Sequence, residues 1–412
     1  MKTIAITGSK GKTTTTWMIR HLLRSAGRRV GLLGTFEYDL SDGRMMYANN
    51  TTPSPKRFDQ VLAMQEAAGA EFSVFEIASG TLSDNRMGDR TWDLGAITCI
   101  RRGYHVDGYP GVDNSEGCHP DYENYIRCKQ SLADRITGTL FLNADDPLVM
   151  AASARARGRV ETYGVEARAP YQAEVLGATL RGTDILLKTP AGPAIPTLHL
   201  LGRHQAYNAA LACAIAVRCG LSLPEIVAGL ESMPPVRCRL ETLGWGDGFP
   251  VILDGCHPVD AMRSTLETLR EVLDPGGRII VVFGESGGRP DERRRAFGDV
   301  LDAGADSVVL TSDNPGGECP SAIATQVACG RPMKFAFVKD RTRAIETAIR
   351  AAAPGDVVLV CGRVTDAGYL RFDVGVDESV VFSDHVAVRA ALRTVYGFAA
   401  VEPAETPCPH PS

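Results

Sequence analysis

The sequence predicts an α/β protein of two consecutive α/β units, the first with a mainly parallel sheet plus an antiparallel hairpin region. Short β-rich runs alternate with stretches of apolar residues at helical spacing along most of the 412 residues. Those runs are continuously apolar, which suits strands buried on both faces of a parallel sheet. A glycine-rich turn, "TGSKGKTT", joins the first such run to the first helical pattern.

In chain order, Thr3–Thr7, Arg29–Gly34, Phe72–Ile77, Gly95–Ile100 and Thr139–Asn143 read as strands, mostly followed by helix-length segments. From Tyr171 to Leu201 the runs "AEVLGATL", "DILLKT" and "TLHLLG" are separated by turn residues and read as antiparallel hairpins. A helix from about His204 to Cys219 follows. Pro234 and Pro235 then mark a boundary. A second strand series begins beyond it: "PVILDG", "RIIVVFG", "DSVVLTSD", "KFAFV" and "DVVLVCG", each beside an apolar-periodic helix. After Tyr396 the proline-rich "AAVEPAETPCPHPS" has too little apolar surface to fold and reads as a flexible tail. The expected division is residues 1–234, 235–398 and 399–412.

Bulk properties exclude several classes. A net charge of −5 offers no electrostatic footprint for nucleic acid or an anionic membrane. The eleven cysteines form no CxxC pair, so neither a zinc ribbon nor a disulfide framework is indicated. With no apolar run near the ~18 residues a spanning helix needs, and no secretory segment, the chain reads as cytoplasmic.

The turn at "TGSKGKTT" has the chemistry of a phosphate cradle. Gly8 and Gly11 let the backbone turn its N–H groups toward an anion, Lys12 supplies a cation, and the Thr13 hydroxyl can meet Mg²⁺. The strict GxxxxGK[ST] pattern is broken, because its first glycine position is Ile6.

The loop resembles the ATP loop of the Mur ligases, TGTNGKTT. Further stretches match that family in order: "NTTPSP" at Asn50, "FEIAS" at Phe75, "YENYIRCKQSL" near Lys129, "LNADDP" at Leu142, "GRHQAYNAALA" at Gly202, "PVRCRLE" at Pro235, "LDGCHP" at Leu253, "TSDNPGGECP" at Thr311 and "FSDH" at Phe382. The match is closest to the MurE branch, which adds an amino acid to a UDP-muramoyl peptide. The resemblance implies a P-loop central domain followed by a Rossmann-like C-terminal domain. It also implies a reaction: ATP phosphorylates a carboxylate, and an amine attacks the acyl phosphate to give an amide, ADP and phosphate. The substrates would be small molecules, and monomer is the family default.

By the same resemblance, Gly8, Ser9, Lys10, Gly11, Lys12, Thr13 and Thr14 hold ATP, with Asn208 near adenine and Arg239, Asp254 and His257 reaching the nucleotide from the second unit. Lys12, Lys129, Arg239 and His105 are the catalytic set. Thr13, Glu76 and His105 are the Mg²⁺ side, and Lys129 matches a lysine that is carbamylated. His119 stays open as the alternative to His105. Thr51, Thr52, Ser79, Asp313 and Asn314 would face the substrates.

Several positions depart from the MurE pattern. The DNPR signature ends in Gly316, which removes a bidentate partner for a second carboxylate. The GKGHE stretch reads "GRVTD", with Asp366 in place of the glutamate, and "EVSSH" becomes Ala78-Ser79-Gly80. Because the chain opens on the ATP-loop strand, a UDP-linked substrate is not expected. A Mur-type ligase acting on another small carboxylate, in specialised metabolism, is the leading expectation. The alternatives are a folylpolyglutamate synthase-like ligase and a non-catalytic ATP-binding homologue.

Overall fold

The computed structural model describes residues 1–48, 50–83, 85–101, 119–331, 333–363, 367–370 and 380–397. The first half runs β1 (Lys2–Thr7), α1 (Lys12–Ser25), β2 (Val30–Leu33), β3 (Glu37–Asp39), β4 (Met45–Tyr47), α2 (Pro55–Ala67), β5 (Phe72–Glu76), α3 (Ser79–Ser83) and β6 (Trp92–Ile97). It continues through α4 (Tyr122–Gln130), β7 (Ile136–Asn143), α5 (Pro147–Met150), β8 (Arg159–Gly164), β9 (Tyr171–Thr179), β10 (Gly182–Thr189), β11 (Gly192–Ala194), β12 (Thr197–Leu198), α6 (Gln205–Arg218) and α7 (Leu223–Glu231).

These strands form one sheet of 12 strands in the order β11-β10-β9-β8-β7-β6-β1-β5-β2-β3-β4, with β12 beside β10. The centre is parallel: β1 lies between β5 and β6, pairing Ile4 with Val74 on one side and Leu94 on the other. Ile4, Ala5 and Ile6 are fully buried there, as a strand covered on both faces requires. The β9–β12 hairpins are antiparallel, as their turn residues predict. A second antiparallel edge, β2-β3-β4, was not expected.

One face is covered by α1 and α6. Met18, Ile19, Leu22 and Leu23 of α1 meet an α6 surface made largely of alanines, whose small side chains let the two helices approach closely. The other face carries α2 and α4, with Phe58, Val61, Phe75 and Tyr125 in its core. The strand expected over Gly95–Ile100 is Trp92–Ile97 instead. Beyond Ile97 the chain turns to hold the glycine-rich loop: Thr98 N–H still donates to the Thr7 carbonyl at 2.9 Å, Thr98 Oγ1 donates to the Lys10 carbonyl at 2.6 Å, and the Cys99 carbonyl accepts Ser9 N–H at 2.8 Å.

The second half runs β13 (Glu241–Trp245), β14 (Pro250–Asp254), α8 (Val259–Val272), β15 (Ile279–Glu285), α9 (Asp291–Gly304), β16 (Ser307–Ser312), α10 (Pro320–Ala328), β17 (Phe335–Phe337), α11 (Arg341–Ala351) and β18 (Val357–Cys361). After these come β19 (Ala367–Leu370), β20 (Val380–Ser383) and α12 (Asp384–Tyr396), with β19 and β20 pairing separately. The six-stranded sheet is ordered β13-β14-β18-β15-β16-β17 and is parallel except for β13.

The halves touch through a few large side chains. Phe36 and Trp17 pack into the apolar cluster around Phe249 and Val388. Arg181 stacks on Trp245, 4.5 Å from the ring centroid. No helix among the described residues is long and apolar enough to cross a membrane.

Candidate active site

The glycine-rich loop lies at the C-terminal end of β1, where ligands of α/β sheets bind. Gly11 precedes α1 with φ +84°, and Gly8 has φ +148°. A side chain at Gly8 would meet Thr98 Oγ1 at 1.7 Å, so only glycine fits. No side chain caps α1 and its first turn holds no carboxylate, which leaves its leading N–H groups for an anion.

Two lysines converge on this loop. Lys12 Nζ donates to the Gly8 carbonyl at 2.9 Å, and Lys129 Nζ, from α4, donates to the same oxygen at 2.8 Å. Lys129 is 2% exposed and lies 4.7 Å from the Tyr125 ring centroid. Burial, and then the Lys12 ammonium, hold its amine well below the usual lysine range. Lys12 is lowered as well, first by burial, with Arg239 adding to the effect and Glu76 opposing it. Tyr125 completes the wall, its hydroxyl 2.7 Å from Ser9 Oγ.

Across the loop, Thr13 Oγ1 donates to Glu76 Oε2 at 2.9 Å. Glu76, at the end of β5, is 1% exposed and also accepts Thr35 N–H at 2.9 Å and Thr35 Oγ1 at 3.1 Å. The three residues pool hydroxyl and carboxylate oxygens, the donor type that hard divalent cations prefer. Thr51 Oγ1 lies 3.2 Å from Thr35 Oγ1. Thr52 donates to the Glu76 carbonyl at 3.0 Å and accepts Ala78 N–H at 2.8 Å, tying the "NTTPSP" loop to β5. Ser79 opens α3 beside them.

The remaining candidates divide between the two halves. Lys10 is exposed at the loop tip, and Thr14 is buried in the first turn of α1. Asn208 lies behind the loop: its Oδ1 accepts Thr15 Oγ1 at 3.1 Å, and its Nδ2 donates to Gln205 at 2.9 Å. Arg239, from the second half, sits with its guanidinium 5.2 Å from the Phe36 ring centroid. Asp254 ends β14 and accepts Leu240 N–H at 2.8 Å. His257 is pushed down to about 4, first by burial and then by Arg293 and Arg289.

Asp313 and Asn314 belong to a separate cluster at the ends of β16 and β18. Asp313 is 5% exposed, within 3.5 Å of Arg363 and 3.3 Å of Ser286 Oγ. Burial raises its pKa, with Arg341 and Arg363 opposing. His105 and Asp366 lie outside the described residues. His119 is buried, with Nδ1 3.0 Å from Asn124 Oδ1 and its ring edge-on to Tyr125. Among the described residues no three His, Cys, Asp or Glu side chains cluster as a metal site.

Thr35 and Tyr125 escaped the sequence reading. Tyr125 sits four residues before Lys129 on α4, a helical spacing that places both on one face. Thr35 carries no local signal, since only the parallel pairing of β2 with β5 brings it to Glu76.

The Mur ligase middle domain family matches residues 6–216, and the Mur ligase glutamate ligase domain family matches residues 238–364. A UDP-N-acetylmuramoyl-L-alanyl-D-glutamate–2,6-diaminopimelate ligase of Thermosynechococcus vestitus is 32% identical over 397 residues, 95% of this chain and 76% of its own length. The chain belongs to the Mur ligase family. Mur ligases use ATP and Mg²⁺, and the reaction class of this member is ADP-forming amide ligation. An enzyme of the same name from Geobacillus kaustophilus is 30% identical over 398 residues, 95% of this chain and 78% of its own. Among solved structures, a UDP-N-acetylmuramoyl-L-alanyl-D-glutamate–2,6-diaminopimelate ligase superposes with TM-score 0.68 at 24% identity, covering 96% of this chain and 78% of its own. The Mycobacterium tuberculosis folylpolyglutamate synthase gives 0.64 at 20% identity, covering 97% and 92%. At these identities the two structures speak for the Mur ligase fold alone.

Proposed function

We propose that this Mur ligase activates a small carboxylate as an acyl phosphate at the Gly8–Thr13 loop and joins it to an amine held by the second half, with substrates other than those of its diaminopimelate-ligating relatives. The observation that carries the reading is the convergence of Lys12 and Lys129 on one loop carbonyl, opposite Thr13 and Glu76, with Arg239 of the second half close enough to act on the Lys12 charge. Bringing a carboxylate against a triphosphate sets negative charge against negative charge, so fixed cations at the point of transfer lower the barrier.

Lys12 and Arg239 would face the transferring phosphoryl group, and Ser9, Lys10 and the N–H groups of Gly11 to Thr14 the rest of the triphosphate. Asn208, Asp254 and His257 would line the nucleotide side. The oxygens of Thr13 and Glu76 fit Mg²⁺, which neutralises phosphate charge when bound. His105 is the proposed metal-side histidine, with His119 as alternative. Lys129 is the proposed site of carbamylation: burial disfavours its ammonium form, and the neutral amine forms a bond to the carbon of CO₂ and releases one proton, which leaves a carbamate anion where the neutral amine stood. The carboxylate substrate would lie toward Thr51, Thr52 and Ser79.

The amine would lie toward Asp313 and Asn314. Gly316 stands there where the resemblance places an arginine, which supports an amine substrate without a second carboxylate at that point. Attack by the amine forms the C–N bond as phosphate leaves, so the acid and amine together lose one water. The proposed division falls at residues 234 and 235, with a monomeric, cytoplasmic enzyme.

The test is phosphate release from ATP and Mg²⁺ with a panel of acids and amines offered singly and in pairs, a folate–glutamate pair among them, with product masses followed. Release that requires one acid and one amine, with a product lighter than their sum by one water, is the expected result. ATP binding without turnover on any pair, carrier-linked acids included, would favour the non-catalytic reading.

A further inference from the structure

Arg239 stands on a turn of a kind usually given to glycine. Cys238 and Leu240, on either side of it, have φ of 52° and 45°. L side chains hold that left-handed conformation only where the surroundings impose it. Two carboxylates do so here. Asp254 Oδ2 accepts Leu240 N–H at 2.8 Å, and Glu241 Oε2 accepts Cys238 N–H at 2.8 Å. The Cys238 carbonyl, between them, accepts Gly255 N–H at 3.1 Å and Arg239 Nη1 at 2.8 Å.

The clamp extends to the last helix. Glu241 Oε1 lies 2.8 Å from Nε2 of His385 in the first turn of α12. His385 is fixed by its neighbour Asp384, whose carboxylate is fully buried against Arg341 at 2.7 Å. Asp254 also accepts Cys256 Sγ at 2.9 Å and Thr265 Oγ1 at 3.4 Å, so it serves the end of its own strand as well as the turn. Glu241 spends its two oxygens on the turn and on His385.

We infer that Glu241, clamped by His385, is a positioning residue for Arg239: it fixes the left-handed turn that aims the guanidinium at the nucleotide phosphates. This rests on the nucleotide reading above. Because the bonds to Cys238 N–H and to Arg239 Nη1 meet on one residue's backbone, loss of the carboxylate frees the peptide to rotate and carries the guanidinium off Phe36.

Calorimetric titration with Mg²⁺ and a non-hydrolysable ATP analogue tests it on the full chain. Arg239→Ala is expected to weaken binding about tenfold, as loss of a charge-assisted phosphate contact does. Glu241→Ala should match that loss, while in the Arg239→Ala background it should add nothing. Glu241→Gln, whose amide oxygen can still accept Cys238 N–H, should stay within about twofold of wild type. If Glu241→Ala does not fold, His385→Ala carries the test, with a weakening that Arg239→Ala again masks. Equal weakening by Glu241→Ala with and without Arg239, or none in either, would overturn the inference and leave the nucleotide reading standing. Wild-type protein that binds no analogue, or Arg239→Ala that binds it normally, would instead overturn the nucleotide assignment on which the inference rests.

Discussion

Lys129 carries no carboxylate partner among the described ion pairs, yet it is 2% exposed and held by one carbonyl and one aromatic ring. Such a group costs stability when charged. Unfolded, a lysine titrates near ~10.4. Between the lowered folded pKa and that value the unfolded chain binds the extra proton, so the cost is largest below the folded pKa and fades as pH rises toward ~10.4. Lys129→Met is therefore expected to stabilise the fold by ~1–3 kcal/mol at pH 7 while abolishing ligation. Urea unfolding at pH 7 and pH 10 checks it, since the advantage must shrink at the higher pH. At Gly8 the constraint is steric: alanine would need φ near +148° and would drive its Cβ into the Thr98 hydroxyl. Gly8→Ala should lower turnover on the order of 10²-fold with a folded circular-dichroism spectrum, because a ~1 Å displacement of reacting groups costs that much.

Helix α12 shows how one pair of side chains can dock an element. Asp384 and Arg341, both 0% exposed, join α12 to α11 through contacts of 2.7 and 3.0 Å. Asp384→Asn takes the nearest counter-charge from Arg341, and from Arg363 at 3.8 Å, and should cost ~3–5 kcal/mol. Replacing both, as Arg341→Met with Asp384→Leu, should recover part of that in urea titrations, because two apolar side chains carry no desolvation penalty while Arg363 and Asp313, 3.5 Å apart, still pair with each other. None of this pairing was legible in the sequence, where the two residues stand 43 positions apart. The strands were legible, because runs such as "TIAIT" and "IIVVF" carry burial on both faces in their composition. Strands β3, β4, β8, β13, β19 and β20 were not, since three to six mixed residues leave no periodicity to read. The same limit applies to the site. Loop residues Gly8 to Thr13 announce themselves by type and order, whereas Thr35 reaches Glu76 only through strand pairing and Glu241 reaches Arg239 only through a turn.

Between the two sheets the chain changes cores within one residue: Val236 is buried with α1 and α6, and Cys238 with Phe249 and Val388. Pro234 and Pro235 stand exposed just before this crossing. Arg237 is thus the natural pivot, and closure of the second half over the Gly8–Thr13 loop would exclude water from an acyl phosphate that otherwise hydrolyses. The three tryptophans report on such a movement. Trp17 packs against both cores, and Trp245 lies under Arg181 from the other half. Trp92 is sealed in the core of the first sheet at 3% exposure. Adding Mg²⁺, ATP and the acid substrate should therefore change tryptophan emission, with Trp17→Phe and Trp245→Phe each removing part of the change and Trp92→Phe removing none. A change lost only with Trp92→Phe would place the ligand response inside the first sheet, and the pivot at Arg237 would be wrong.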